Sequence, residues 1–429
     1  MQQHQAMPFL ATIRFYFIKF KTKGLAGLWR LVKIKIDGFR HRNFYPDNYR
    51  AHLSTTPVRG ITFIGNLCGK DSISKVSRDF VLSLHDAGIP FQAFDPSFAG
   101  DPSKSGIDRL ITPSGKFDLR KYEVIVEMFG CSIPKGLYER HVRIPFWEFE
   151  SGFPEIYPSM RDATEVAGMS DFNFEYYRRI LPGCTRVHKI LYPLRILQTV
   201  PNSANETRRK YGLGENSFVA FFNFSYLSGF NRKNPEGAVR AFAKAFPAGS
   251  DTDAKLVFKT MHSKEFPQAA KRLYSLAAEL DITDKVVFID GYVPQSDLYG
   301  LTAACDVYLS LHRGEGFGLG VAEAMSLGKP AVVTDYSSTT EFCNKENSIP
   351  VPYRMVPVPP AQIDHSFYNF VKEWADADID AAAEALRRLY SSPVLRKRLG
   401  ANAREFILDH FSIKNFRKSV ESLLNMQTP

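Results

Sequence analysis

Two glutamates, Glu315 and Glu323, flank a glycine-spaced turn between an apolar strand pattern and a helix pattern. Glycine lacks a Cβ, so the backbone N–H groups of such a turn can approach a ligand closely. The start of the following helix adds unpaired amides and the positive end of its dipole, which suit phosphate oxygens. The residues of the turn are Gly316, Phe317, Gly318, Leu319 and Gly320.

The two carboxylates stand before and beyond the amides of this turn. Carboxylate oxygens accept hydrogen bonds from hydroxyl groups. Glu315 and Glu323 could therefore hold hydroxyls at the two ends of a diphosphate, with a sugar on one side and a ribose on the other. A glycine-rich turn with two solvated glutamates is the alternative that the residues alone leave open.

A second polar cluster follows the predicted strand Phe218–Phe224, where Arg232 and Lys233 precede a helix that starts at Pro235. A leaving diphosphate carries negative charge, and fixed cations stabilise it where no metal ion does so. The helix start adds another positive dipole end. Each cation could instead be a solvated residue at a helix start, and the pattern leaves that open.

The stretch EGFGLGVAEAMSLGKP resembles the donor-site signature of retaining nucleotide-sugar glycosyltransferases of family 4, the group 1 glycosyltransferases. The preceding SLHRGEGFG is similar to a bacterial subset involved in surface polysaccharides. The resemblance implies that Glu315 is catalytic and contacts the transferred sugar, and that Glu323 binds the ribose. It implies that the amides of residues 317–320 hold sugar and diphosphate, and that Lys233 is the catalytic lysine on the diphosphate.

Further donor contacts follow from the same resemblance. The family often has an arginine near the strand end, where this sequence offers Asn223 and Ser225. The second diphosphate cation is therefore open between Arg232 and Lys259. The segment around Val293 is similar to the part of the family that contacts the nucleobase through backbone groups, so no side chain identifies the base.

Two more features, a histidine and a loop of small hydroxyl residues, could either contact the donor or serve only the fold. His312 lies two residues before Gly314 and is a candidate site member, although a single histidine is more often structural. Residues 334–341 resemble the family's second loop of small hydroxyl residues near the donor. Ordinary turn chemistry explains serine and threonine there equally well.

The acceptor side is predicted from two segments of the N-terminal half. A polar strand-to-helix loop contains Asn66 and Gly69 and is expected to face the acceptor or donor. The segment PFWEFE resembles a Trp-Glu segment in relatives of the bacterial subset. There Trp147 would stack on a sugar and Glu148 or Glu150 would accept its hydroxyls, or the segment would be a core tryptophan with surface acids.

Strand patterns alternate with helix patterns from about residue 58, which predicts an α/β protein with mostly parallel, helix-covered sheets. Together with the resemblance, this predicts the GT-B fold, two Rossmann-like doubly wound domains facing a central cleft. The Pro-rich stretch Val351–Pro360 is predicted to be a loop. The predicted parts are a basic amphipathic N-terminal arm at 1–57, an acceptor domain at 58–200, a donor domain at 201–400, and a C-terminal helix at 401–429 that could pack back on the N-terminal domain.

The positive charge is concentrated at the N-terminus. The 429 residues carry a net charge of +10, and residues 1–50 alone contain ten Lys and Arg against two Asp. Leu25, Leu28, Trp29 and Val32 share one helical face there, as in an interfacial helix on an anionic membrane. Docking on the protein's own body and nucleic-acid binding are the alternatives; nucleic acid is disfavoured because the rest of the chain has no second basic surface.

The remaining composition excludes several classes. Five widely spaced cysteines, without a CxxC pair, argue against a disulfide framework or a zinc site and favour a reducing cytoplasm. The sequence has no uncharged apolar stretch of about 18 residues that would span a bilayer. We expect neither a metal nor another cofactor, and a location in the cytoplasm on the inner face of the membrane.

The resemblance implies a retaining, metal-independent transferase that moves a hexose from a nucleoside-diphosphate sugar to a hydroxyl of a glycan or lipid-linked acceptor. Bacterial capsule, exopolysaccharide or lipopolysaccharide synthesis is the expected context. The alternative is a catalytically weak, nucleotide-sugar-binding scaffold subunit of a membrane polysaccharide complex.

Overall fold

The computed structural model describes residues 56–69, 71–96, 106–113, 116–128, 138–153, 163–195, 203–364 and 368–425. The chain divides into two compact units. Unit 1 comprises residues 1–146, 153–195 and 411–429, and unit 2 comprises residues 147–152 and 196–410. The predicted basic arm and its interfacial helix fall in residues 1–55, outside the described part of the chain.

Unit 1 contains a six-stranded parallel sheet in the order β2-β1-β3-β4-β5-β6. Its strands are short and their centres are buried, as expected for a sheet that helices cover on both faces. The strands are β1 (Val58–Ile64), β2 (Phe91–Phe94), β3 (Tyr122–Met128), β4 (Arg140–Ile144), β5 (Glu165–Gly168) and β6 (Arg186–Lys189). Its helices are α1 (Ser72–Asp86), α2 (Asp171–Ile180) and, from the end of the chain, α11 (Ile413–Asn425).

Unit 2 contains a second six-stranded parallel sheet, in the order β12-β11-β10-β7-β8-β9. The strands are β7 (Phe218–Ser225), β8 (Ala254–Met261), β9 (Val286–Asp290), β10 (Val307–Ser310), β11 (Ala331–Thr334) and β12 (Ile349–Val351). The helices are α3 (Ala204–Lys210), α4 (Phe230–Lys233), α5 (Pro235–Ala245), α6 (Pro267–Glu279), α7 (Gln295–Ala304), α8 (Leu319–Ser326), α9 (Ile379–Ser391) and α10 (Pro393–His410). Two parallel-sheet units confirm the predicted α/β class with Rossmann-like domains.

The Pro-rich stretch is only partly a loop, so that prediction is wrong in its centre. Residues Tyr353–Pro357 form β13, which pairs antiparallel with β14 (Glu373–Ala377). Proline removes a ladder donor, but it is tolerated at the end of a strand and on the edges of a sheet. In a two-stranded pair both strands are edges, and Pro357 occupies the last position of β13.

The last helix of the described chain packs within unit 1. The ring of Phe416 on α11 meets Phe80 on α1 edge to face, with centroids 5.4 Å apart. Ser419 Oγ accepts a hydrogen bond from the Leu191 N–H at 3.1 Å. The structure thus divides the chain near residue 195 and again near 410, whereas the predicted bounds were 200 and 400.

A buried charged cluster ties α11 to the sheet of unit 1. Arg140 donates to both oxygens of Glu165, at 3.0 and 2.7 Å, and His188 lies 2.8 Å from Glu165 Oε2. A third donor of Arg140 reaches the Leu423 carbonyl at 3.0 Å. Although burial alone would raise the pKa of Glu165, hydrogen bonds from His188 and Arg140 lower it to about 2.

We expect Glu165→Gln to destabilise unit 1 by about 3–5 kcal/mol above pH 4.5, because Arg140 loses its charged partner while buried. Glu165 has a folded-state pKa of about 2 against an ordinary 4.5. Its stabilising contribution is therefore present above pH 4.5 and is lost as the pH falls toward 2. Hydrogen exchange of α11 measures this: the variant should exchange faster at pH 7, and the difference should shrink in acid.

The matched control is Glu175→Gln, which removes an exposed ion pair with Arg178 on α2. A surface pair of this kind contributes little, so α11 should exchange as in the unchanged protein. Equal protection of α11 in both variants would contradict the role assigned to Glu165.

Candidate functional site

The predicted acid and the predicted cation meet in unit 2. Lys233 Nζ donates a hydrogen bond to Glu315 Oε1, and Arg232 lies 3.4 Å from the other oxygen of the same carboxylate. Glu315 is 8% exposed. The structure thus brings the two predicted clusters together and places the Glu315 carboxylate between the cations of Lys233 and Arg232.

The order of the strands explains this meeting. Strands β7 and β10 are hydrogen-bonded neighbours, although the chain visits β8 and β9 between them. Lys233 follows the carboxyl end of β7, and Glu315 follows the carboxyl end of β10. Loops on both sides of such a reversal in strand order open a crevice at the carboxyl edge of a parallel sheet.

Arg232 is held by acceptors on several sides. Its Nε donates to the Tyr368 hydroxyl at 3.0 Å, and its terminal nitrogens donate to the carbonyls of Gly314 at 2.7 Å and Ser228 at 2.8 Å. The residue is 4% exposed. These contacts fix the backbone immediately before Glu315; the predicted direct contact of Arg232 with a donor stays a prediction.

The charges in this cluster stabilise one another. Burial by itself would raise the pKa of Glu315, but the charges of Lys233 and Arg232 lower it to about 2. Burial lowers the pKa of Lys233, against the opposing pull of Glu315. For Arg232, burial is outweighed by Tyr368, Glu148 and Glu315, which raise its pKa. An ionised carboxylate and a guanidinium therefore persist at neutral pH.

The glycine-spaced turn forms the N-terminus of α8. Gly318 occupies the N-cap position with φ of 93°, a left-handed conformation that glycine adopts without strain. No side chain caps this helix end, and its first turn contains no acidic residue. Its first amides point out of the helix beyond Gly318 and suit an anionic group. Gly316 and Phe317 are buried beside them, and Leu319 and Gly320 are half-buried.

The hydroxyl loop that follows β11 supports the backbone of the motif. Ser337 Oγ accepts a hydrogen bond from the Glu315 N–H at 2.9 Å, and Ser338 Oγ donates to the Gly316 carbonyl at 2.8 Å. Both serines are buried. The serine side chains of this loop therefore hold the backbone of Glu315 and Gly316. The predicted contact of the loop with a donor stays a prediction.

His312 is a buried part of the same scaffold. Its Nε2 lies 3.1 Å from the Tyr336 carbonyl, and its Nδ1 lies 3.3 Å from Ser310 Oγ. Burial lowers the pKa of His312 to about 4, so the ring is neutral at pH 7. The structure thus gives His312 backbone and hydroxyl partners beside Glu315.

A pair of polar side chains lies under the start of α8. Tyr308 donates from its hydroxyl to Asn223 Oδ1 at 2.7 Å. A Cβ on Gly320 would lie 2.2 Å from that hydroxyl, so only glycine fits there. Glu323, 9% exposed, accepts a hydrogen bond from the Tyr299 hydroxyl at 3.2 Å. Sequence reasoning missed Tyr308, because a tyrosine in an apolar strand resembles any core residue.

The other predicted donor residues lie along the carboxyl edge of the sheet. Lys259 is in register with Asn223 on the neighbouring strand, and its Nζ donates to the carbonyls of Thr260 and Gly291, at 2.9 and 2.6 Å. Ser225 Oγ lies 2.9 Å from His262 Nδ1. The half-buried Val293 follows β9. Lys259 is thus engaged with the loop after β9.

Two residues predicted for the acceptor domain lie in unit 2. The ring of Trp147 is 1% exposed and its Nε1 donates to the Ser151 carbonyl at 3.1 Å, which contradicts the predicted stacking on a sugar. Glu148 lies 3.8 Å from Arg232, beside the donor motif and not among the unit 1 residues. Burial raises the pKa of Glu148, and Arg232 partly opposes that shift.

The predicted acceptor loop is well held within unit 1. Asn66 Oδ1 accepts a hydrogen bond from the Gly69 N–H at 3.2 Å. Arg78 donates to the Gly69 carbonyl at 2.7 Å, and Asp95 accepts from the N–H groups of Leu67 and Cys68, both at 2.8 Å. The contact of this loop with an acceptor stays a prediction.

Among the residues that the structure describes, no three His, Cys, Asp or Glu side chains are grouped so that they could hold a metal ion. In the same part of the chain, no helix combines the length and apolarity that crossing a bilayer requires.

Gly314→Ala should destabilise unit 2 by about 1–3 kcal/mol, because overpacking forces the backbone to shift. A Cβ there would lie 2.5 Å from the Glu148 carbonyl oxygen. Denaturant unfolding followed by the fluorescence of Trp147 and Trp374, both buried in unit 2, measures the loss. The control is Gly183→Ala, since nothing lies within 4 Å of a Cβ there. Equal stabilities of the two variants would refute the close approach at Gly314.

Comparison with known sequences finds a family profile that is similar to part of this chain. Residues 205–406 match the profile described as "Glycosyl transferases group 1". The N-acetyl-alpha-D-glucosaminyl L-malate synthase of Bacillus anthracis is 24% identical over 247 residues, which cover 55% of this chain and 55% of that enzyme. The chain thus matches about half the length of this curated relative.

Solved structures share the architecture. HepE from Anabaena, in complex with UDP and glucose, aligns with a TM-score of 0.62 at 14% identity and covers 86% of this chain and 99% of its own. WaaG, a glycosyltransferase involved in lipopolysaccharide biosynthesis, aligns with a TM-score of 0.56 at 14% identity and covers 86% and 100%. The likeness confirms the predicted GT-B class of the two Rossmann-like domains. Residues 205–406 are thus similar in sequence to the group 1 glycosyl transferases.

Proposed function

We propose that this protein is a retaining glycosyltransferase of family 4. It would move a hexose from a nucleoside-diphosphate sugar to a hydroxyl of a glycan or lipid-linked acceptor, in the synthesis of a bacterial surface polysaccharide. The observation that carries the proposal is the contact of Lys233 with Glu315 at the uncapped start of α8. A fixed cation and free amides beside a carboxylate suit a diphosphate joined to a sugar.

In this proposal unit 2 binds the donor. The amides at the start of α8 and the ammonium of Lys233 hold the diphosphate, and Glu323 accepts hydrogen bonds from the ribose. Backbone groups near Val293 meet the base. UDP and glucose, the ligands in the HepE complex, support a donor of this chemical class. The involvement of WaaG in lipopolysaccharide biosynthesis supports the surface-polysaccharide context.

The chemical step would depend on stabilising the leaving group. As the bond from the anomeric carbon to the diphosphate loosens, negative charge grows on the diphosphate, next to Lys233 and the dipole of α8. Arg232 holds Glu315 and its backbone in place, so the cluster needs little rearrangement during the reaction. An acceptor hydroxyl attacks from the face that the diphosphate leaves and passes its proton to the departing diphosphate oxygen, which retains the anomeric configuration. We propose that these cations replace a metal ion.

Lys233→Ala should lower the rate of donor hydrolysis or transfer by about 10²–10³-fold, the usual cost of removing one group that stabilises developing charge. The donor is first chosen by thermal shift among UDP, GDP and their hexose derivatives. A donor at 100 times its Kd should stabilise the protein by about 2.7 kcal/mol. The control Lys244→Ala removes an exposed lysine from α5 and should leave the rate unchanged.

Three results would contradict this proposal in whole or in part. If no nucleotide in the panel raises the unfolding temperature, the proposed donor site is contradicted. Tight donor binding without turnover on any acceptor, equal in the unchanged protein and in Lys233→Ala, would favour the scaffold subunit instead. A product with inverted anomeric configuration, read from its NMR coupling constant, would overturn retention alone.

We further propose that residues 1–50 bring the enzyme to the inner, cytoplasmic face of an anionic membrane. Their ten cations against two acids, interleaved with apolar residues, support contact with anionic headgroups. Deletion of residues 1–50 should abolish sedimentation with anionic vesicles and leave donor binding unchanged. Sedimentation that persists after the deletion would refute the membrane contact.

A further inference from the structure

The segment Trp147–Gly152 is a six-residue excursion of the chain into unit 2. It is fixed there at several points. The ring of Phe149 meets Tyr368 edge to face, with centroids 5.3 Å apart. Ser151 Oγ accepts a hydrogen bond from the Lys372 N–H at 3.0 Å. A segment held at Phe149 and at Ser151 presents the side chains between and beside them in a defined direction.

One side chain of this segment reaches the charged cluster. The Glu148 carboxyl lies 3.8 Å from Arg232, which is beyond hydrogen-bond distance. Glu315 takes the closer contacts of Arg232 and Lys233. The Glu148 side chain is 19% exposed, so part of it is open to a ligand beside the cluster.

The backbone of the segment adds to this placement. The Glu148 carbonyl oxygen packs so closely on Gly314 that a Cβ there would lie 2.5 Å away. Gly314 is the residue before Glu315 and bonds to Arg232 through its carbonyl. The two carboxyl groups therefore stand on neighbouring pieces of backbone, beside the same guanidinium.

We propose that Glu148 is a specificity-determining residue of the donor site, whose carboxyl hydrogen-bonds a hydroxyl of the transferred sugar. The inference rests on the proposed function and deepens it. A second carboxyl beside Glu315 would repel a diphosphate, whereas sugar hydroxyls both donate and accept hydrogen bonds. The sugar end of the donor is thus the part that this group fits.

The environments of the two carboxyl groups support different tasks. Lys233 and Arg232 keep Glu315 ionised, whereas burial raises the pKa of Glu148, to which the nearby charge of Glu315 adds. Neighbouring carboxyls whose pKa values are pushed apart commonly perform different functions in a site. A carboxyl that holds its proton more readily can donate to a sugar oxygen as well as accept from a hydroxyl.

The experiment compares sugar nucleotides with the matching nucleoside diphosphates. Calorimetric affinities are measured for UDP, UDP-glucose, GDP and GDP-mannose, using the full chain and its Glu148→Ala and Glu148→Gln variants. Glu148→Ala should lower the affinity for the sugar nucleotide about tenfold or more, the usual effect of losing a hydrogen bond to a carboxyl. The affinity for the matching nucleoside diphosphate should change less than twofold. Glu148→Gln keeps a hydrogen-bonding group and should therefore lower the affinity for the sugar nucleotide by less than Glu148→Ala does.

The matched control is Glu150→Gln, which changes an exposed acid two residues along the same segment and should leave all affinities unchanged. Thermal unfolding verifies that each variant is folded. Equal losses for nucleotide and sugar nucleotide would show that Glu148 acts only through Arg232, and no loss would exclude any contact; either result overturns the inference and leaves the proposed function standing. Failure of the unchanged protein to bind either pair would overturn both.

Discussion

The carboxylate of Glu315 between Lys233 and Arg232 is the interaction on which unit 2 depends. Each of these charges would be costly to bury alone. Lys233 and Arg232 keep Glu315 ionised, and the charge of Glu315 in turn favours the charged form of each cation. The surroundings serve this arrangement: Ser337 holds the Glu315 amide, and Tyr368 and the Gly314 carbonyl hold Arg232. A site assembled in this way changes little when a ligand with compensating charge arrives.

The topology of the sheet makes the cluster possible. Because β10 pairs with β7 and not with β9, two loops distant in the chain leave the sheet side by side. The loop after β7 supplies cations, and the loop after β10 supplies a carboxylate and a helix start. Neither loop alone combines these charges. The crevice at this reversal of strand order is where open α/β sheets bind ligands.

The excursion Trp147–Gly152 adds a carboxyl group, that of Glu148, to unit 2 from a stretch of chain whose flanking residues belong to unit 1. Its tryptophan and phenylalanine are buried in unit 2, and between them one carboxyl stays partly exposed beside the cluster. The buried side chains of Trp147 and Phe149, on both sides of Glu148 in the sequence, fix its backbone. Its distance from Arg232 distinguishes it from Glu315, which is closely paired.

The sequence by itself determined the α/β class, most of the strands and helices, and the local geometry of the glycine-spaced turn, because these depend on residues close together in the chain. The features that depend on contacts between residues far apart in the chain required the tertiary structure. The burial of Trp147, the position of Glu148 in unit 2 and the hydrogen bond between Tyr368 and Arg232 all depend on contacts between residues far apart in sequence. Local periodicity contains no information on such contacts, since packing and strand order decide them.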